Sequence, residues 1–113
     1  MKGLQNLADI AAVEGVDGIF FGPGDLSASM GFLGRPDDPG VLAAIRGGID
    51  AVKRSGKAAG ILCTDKRRAQ EYLDMGVVFV AVGADTTLLM RAAKDLLAFF
   101  KGEKDTKPSS STY

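Results

Sequence analysis

The sequence predicts an α/β protein built on parallel strands. Two observations carry that prediction. Apolar segments of strand length alternate three times with amphipathic segments of helical period, and the strand segments are apolar throughout, as strands covered on both faces are. Such alternation requires right-handed crossovers between parallel strands. A third observation bounds the fold: 113 residues hold only three strand–helix units, whereas a closed (β/α)8 barrel needs ~250 residues. The chain therefore reads as part of something larger, with both edge strands open, and is expected to be molten or poorly soluble in isolation.

Each element has its own signal. Leu4, Leu7, Ala8, Ala11 and Ala12 recur at helical spacing over Leu4 to Val13, and Gly15 ends that helix. "VDGIFFG" follows as the first strand, stopped by Pro23. A short polar helix is expected over Leu26 to Met30. A loop with Pro36 and Pro39 then leads to a longer helix from about Val41 to Ser55, with Leu42, Ile45, Ile49 and Val52 on one stripe and Gly56 closing it. "KAAGILC" is the second strand, "DKRRAQEYLDM" a helix stopped by Gly76, and "VVFVAVG" the third strand. The last helix runs from Asp85 to Lys101, with Leu88, Leu89, Ala92, Leu96 and Phe99 expected inward. Residues 102–113, "GEKDTKPSSSTY", read as a polar, flexible tail behind a folded unit of residues 1–101.

Composition excludes several functions. With 14 basic and 14 acidic side chains the formal net charge is zero, and Lys66-Arg67-Arg68 is too short a basic run to hold a polyanion, so no nucleic-acid partner is expected. No apolar run approaches the ~20 residues of a membrane span, and the N-terminus lacks a secretory pattern, so the expected partners include no membrane and the expected location is cytoplasmic. The single cysteine, Cys63, fits a reducing compartment. The absence of histidine removes Ser-His-Asp, Cys-His and His-ligated zinc chemistry from this chain.

All three strands hand over to an aspartate: Asp25 in "FGPGD", Asp65 in "ILCTD" and Asp85 in "AVGAD". The C-terminal ends of parallel strands form the functional rim of such folds. Asp65 and Asp85 read as caps of the helices that follow, with Thr86 and Thr87 as further rim groups. Asp25 stays open between two roles. Gly22 and Gly24 bare backbone N–H groups beside its carboxylate, with Ser27 and Ser29 nearby, which suits a ligand carrying both a metal ion and an anion. A capped tight turn explains the same residues. Cys63 reads as a small core residue, Arg35 and Arg46 as solvated, and Phe20, Phe21 and Phe79 as core.

"VEGVDGIFFGPGDLSASMG", "GKAAGIL" and "FVAVGADTTLLMRAAKDLL" together resemble the C-terminal part of the metal-dependent class II pyruvate aldolases of the HpcH/HpaI type. That group includes 4-hydroxy-2-oxoheptanedioate, 2-dehydro-3-deoxyglucarate and 2-keto-3-deoxy-L-rhamnonate aldolases. The resemblance covers Leu4 to Lys101 and implies strands six to eight of a (β/α)8 barrel of the phosphoenolpyruvate/pyruvate type. It further implies a divalent cofactor (Mg2+, Mn2+ or Co2+) that chelates the carboxylate and keto oxygen of pyruvate and stabilises the enolate that adds to an aldehyde. By position, Asp25 matches the metal ligand, the N–H groups of Gly24 and Asp25 match those that hold the pyruvate carboxylate, and Leu62 matches a residue lining the aldehyde pocket. The resemblance implies a homo-oligomer, a hexamer built from dimers that exchange the last helix. Two departures stand out. Gly24 replaces the family's usual alanine. The second metal ligand, a glutamate, would fall just before Met1, with the catalytic histidine and pyruvate-binding arginine further upstream, so no catalytic residue is expected in this chain.

Two other readings fit the same residues: a related carbon–carbon lyase of the citrate lyase β-subunit or malyl-coenzyme A lyase kind, and a non-catalytic or split half-barrel that needs an N-terminal partner.

Overall fold

The computed structural model describes residues 1–102. Strands β1 (Gly18–Phe21), β2 (Ala58–Leu62) and β3 (Phe79–Ala81) form one parallel sheet in the order β1-β2-β3, as the alternation requires. Gly18 pairs with Ala58 and Phe21 with Ile61, while Gly60 pairs with Phe79 and Leu62 with Ala81. Around the sheet stand α1 (Lys2–Gln5), α2 (Leu7–Ala12), α3 (Pro23–Ser29), α4 (Pro39–Arg54), α5 (Lys66–Asp74) and α6 (Asp85–Lys101). No described helix is long and apolar enough to cross a membrane.

The core lies on one side of the sheet, under α4. Asp38 caps that helix by accepting from the Gly40 N–H at 3.0 Å, and Pro39 opens it with a pre-set φ. Its stripe of Val41, Ile45, Ile49 and Val52 is completely buried against Phe21, Ala59 and Ile61, with Cys63, Ala69 and Tyr72 closing the layer toward α5. Gly48 sits where α4 meets β1: a Cβ there would stand 2.6 Å from Phe21 Cε1.

Four expectations are corrected. The first helix is two, broken at Asn6. The helix after β1 begins at Pro23 rather than Leu26, because proline suits a first helical position as well as a strand end. Phe20 and Phe79 are not core. The register sets them on the other face of the sheet, across Gly60, with ring centroids 5.6 Å apart and 49% and 63% exposure. Helix α6 is not inward-facing: it buries no residue, and its apolar side chains are exposed. A strand buried on both faces and an amphipathic helix each expect a partner layer, and the described residues supply that layer on one side only. The expected tail lies outside the described residues beyond Gly102, which ends α6 at φ 67°.

Candidate functional site

The three aspartates do stand after the three strands, and they are not equivalent. Asp65 is a cap: its Oδ1 accepts from the Arg68 N–H at 2.8 Å, and that hydrogen bond holds its carboxyl below the ordinary 3.8. Asp85 is not the cap expected. Ala84 occupies the cap position, Asp85 opens α6, and its Oδ1 accepts only the neighbouring Thr86 N–H at 2.8 Å, while the Thr87 hydroxyl donates to Ala84 O at 2.9 Å.

Asp25 is neither cap nor turn residue. Gly22 is the cap position of α3, Pro23 the first helical residue, Gly24 the second and Asp25 the third. The helix closes its first hydrogen bond from Leu26 N–H to Gly22 O at 2.9 Å. The N–H groups of Gly24 and Asp25 precede that bond, so they have no acceptor within the helix, and they take none elsewhere among the described residues. The Asp25 carboxylate makes no capping bond either. Its Oδ2 lies back toward Gly22, 3.6 Å from where a Cβ on that glycine would stand. The result is an exposed carboxylate beside two uncommitted N–H donors, at the C-terminal end of a parallel strand.

Asp25 also borders a cavity of about 380 Å3, whose walls include Leu4, Leu7, Ile19 and Phe20 and whose polar rim is Asp25 and Ser29. Gly24 and Leu62 do not line it. Leu62 ends β2, half-buried, one residue past the Phe21–Ile61 pair and so alongside the chain at Gly22. The two serines separate: Ser29 is exposed on the cavity, whereas Ser27 is completely buried and donates to Gly24 O at 2.7 Å. Sequence spacing placed both hydroxyls near Asp25 without telling which of them faces inward.

A single unengaged carboxylate with nearby space fits a hard divalent cation as one ligand among several, the rest coming from substrate oxygens and water. No group of three or more His, Cys, Asp or Glu side chains that could hold a metal ion gathers among the described residues.

Other candidates resolve as structural. Cys63 is buried, and burial lifts its thiol above the ordinary 9.0 despite a 3.5 Å contact with Asp65 O. Tyr72 is likewise raised by burial. Arg35 lies 5.0 Å from the centre of the Phe32 ring, and Arg46 pairs with Glu71 at 3.5 Å, both exposed. The bridge from Arg68 to Asp37, which ties the loop before α4 to α5, had no signal in the sequence because its members lie far apart.

An open parallel sheet with a carboxylate and two backbone N–H groups uncommitted among the described residues at the end of its first strand defines the class: an α/β segment of parallel strand–helix units. Residues 1–92 match the sequence profile of the HpcH/HpaI aldolase/citrate lyase family, and the chain belongs to that family. It is 53% identical over 112 residues to the hydroxypyruvate/pyruvate aldolase of Pseudomonas aeruginosa, a match covering 99% of this chain and 42% of that protein. To the 4-hydroxy-2-oxo-heptane-1,7-dioate aldolase of Salmonella arizonae it is 49% identical, covering 99% and 43%. Among solved structures, an HpcH/HpaI aldolase/citrate lyase family protein from Burkholderia cenocepacia superposes with TM-score 0.80 at 37% identity, covering 88% of this chain and 38% of that one. The citrate synthase SbnG superposes with TM-score 0.84 at 28% identity, covering 90% and 42%. The chain thus spans about two fifths of the length of these relatives.

Proposed function

We propose that this chain is the C-terminal portion, strands six to eight with their helices, of a (β/α)8 barrel that cleaves or condenses a 2-oxo acid with release or use of pyruvate and an aldehyde. The observation that carries the reading is the Asp25 carboxylate, free of any capping bond, next to the uncommitted N–H groups of Gly24 and Asp25. The carboxylate is one ligand for a divalent metal, Mg2+, Mn2+ or Co2+; the two N–H groups bind the carboxylate of the oxo acid, and Leu62 borders the aldehyde. A bound metal supplies Lewis-acid polarisation of the keto group. What this chain contributes is placement. Pro23 fixes the start of α3, so metal ligand and carboxylate donors sit on one helical turn and bind the two ends of a 2-oxo acid head together. The proton-transfer group, the second metal ligand and the arginine come from residues outside this chain.

In the complete barrel, Asp25→Asn keeps the side chain's size and removes its charge. Mn2+ binding, read by electron paramagnetic resonance, falls at least tenfold and pyruvate-releasing cleavage is lost. Wild-type Mn2+ affinity in that variant rejects Asp25 as a ligand.

A split half-barrel is the second reading, favoured by the outer edges of β1 and β3, which are unpaired among the described residues. It differs only in where the remaining strands are encoded, and co-purification of a partner at equal stoichiometry would select it. In either case the proposed assembly is a homo-oligomer of barrels in which α6 is covered by a neighbouring copy.

A further inference from the structure

Ser27 and Ser29 lie two residues apart on α3 and make the same kind of bond, hydroxyl to the carbonyl three residues back, with different consequences. Ser29 Oγ donates to Leu26 O at 3.0 Å on the exposed side. The N–H of that peptide group belongs to Ser27, inside the helix, where it is already used. Ser27 Oγ donates to Gly24 O at 2.7 Å from a position with 0% exposure. The N–H of that peptide group belongs to Asp25, one of the two donors with no partner among the described residues.

A peptide carbonyl and the N–H across its C–N bond share one delocalised system. A hydrogen bond received at Gly24 O draws density from the Asp25 nitrogen and makes its N–H a stronger donor. The same bond fixes the peptide plane and hence the direction in which that N–H points. We propose that Ser27 is a positioning residue of the oxo-acid site: its buried hydroxyl polarises and orients the Gly24–Asp25 peptide so that the Asp25 N–H binds the substrate carboxylate. The proposal rests on the reading of these N–H groups given under Proposed function.

Ser27→Ala isolates the effect. Gly24 O keeps its helical partner, the Ala28 N–H, and alanine favours the helix, so α3 has no reason to unfold. The test uses the complete barrel labelled with [13C′]glycine and [15N]aspartate. Gly24–Asp25 is the one Gly-Asp step in this chain, and its resonance is assigned by its loss in Asp25→Asn. Without ligand, Ser27→Ala moves the Asp25 15N resonance upfield. With Mg2+ saturating, pyruvate affinity falls about threefold, the loss expected when a cooperative bond behind a charge-assisted one is removed. Mg2+ affinity measured without pyruvate stays at the wild-type value, and Ser27→Thr, which keeps a hydroxyl able to bond back along the helix, restores both readouts. An unmoved Asp25 resonance, or equal pyruvate affinity in wild type and Ser27→Ala, overturns the proposal while leaving the oxo-acid site in place. If pyruvate shifts neither the Gly24 nor the Asp25 amide in the wild type, the site reading itself falls and this proposal with it.

Discussion

At the scale of the residue, Asp25 and Asp65 occupy comparable places after successive strands, and three positions of offset along the helix separate their chemistry. Asp65 stands just outside its helix, where a carboxylate reaches the third N–H and is consumed by it. Asp25 stands three residues inside, because Pro23 started the helix early, and its carboxylate remains free. Asp65→Ala should therefore destabilise the chain by about 1 kcal/mol, the usual worth of a cap, without touching ligand binding. Its contribution is present above pH 3.8, the ordinary carboxyl value, and fades as pH falls below it, because the folded carboxyl titrates lower than the unfolded one. Denaturant midpoints at pH 7 and pH 3 check both statements: the gap between wild type and variant should shrink at the lower pH. Gly24 invites the opposite substitution. It sits at the second helical position without a positive φ, so Gly24→Ala should add about 0.5–1 kcal/mol of stability and leave the amide in place. The sequence made these aspartates visible as rim residues, since each follows an apolar run. It could not tell whether Asp25 caps its helix, because that turned on one helix boundary, and a proline signals a strand end and a helix start alike.

At the scale of the element, α4 and the sheet show how close packing and residue type are coupled. Helix α4 approaches β1 at Gly48, where an added Cβ would lie 2.6 Å from Phe21 Cε1 and 3.0 Å from Cζ. Phe21 is itself buried between helix and strand, so the ring has little room to give, and Gly48→Ala should cost about 1–3 kcal/mol through overpacking despite alanine's better helix propensity. A thermal midpoint equal to wild type would show that the helix can slide. The layer's other margin carries an alkaline limit. Burial raises both Cys63 and Tyr72 above their ordinary values of 9.0 and 10.0. An acid held neutral in the fold but free to ionise when unfolded stabilises fully below its unfolded pKa and loses that contribution as pH rises above it. Stability should decline from about pH 9 upward, and Tyr72→Phe should flatten the later part of that decline, in urea titrations between pH 8 and pH 11. Continuous apolar runs disclosed the strands and the period-3.6 stripe disclosed α4, since apolar spacing is local information. They did not disclose which face each strand turns to the core: in "GIFF" both faces are apolar, and only the register across Gly60 sends Phe21 under α4 and Phe20 to the open side.

At the scale of the whole molecule, the outstanding feature is how much apolar surface has no cover. Among the described residues the outer edges of β1 and β3 are unpaired, Phe20 and Phe79 stand on a bare sheet face, and α6 carries Leu88, Leu89, Met90, Leu96, Leu97, Phe99 and Phe100 between 55% and 81% exposed. Apolar patches of this extent on a single chain mark surfaces that other protein covers. Two kinds of cover are needed, and they are separable. The sheet edges and bare face call for further strands, which must bring their own backbone donors and acceptors. The α6 surface calls for a helical or apolar groove, which a second copy of a barrel can offer. This chain purified alone should therefore self-associate at micromolar concentration, with sedimentation coefficients that rise as concentration rises. Leu89→Glu with Leu96→Glu should remove the part of that association owed to α6 and leave the part owed to the sheet, so particles shrink without becoming a clean monomer. Supplying the remaining strands, fused or in trans, should do the converse: a sharp, cooperative thermal transition appears, and α6 alone then sets the oligomeric state. A monodisperse monomer with a cooperative transition, obtained from the 113 residues alone, would contradict both halves of this argument at once, since it would mean that open edges and a bare helix can be tolerated without partners.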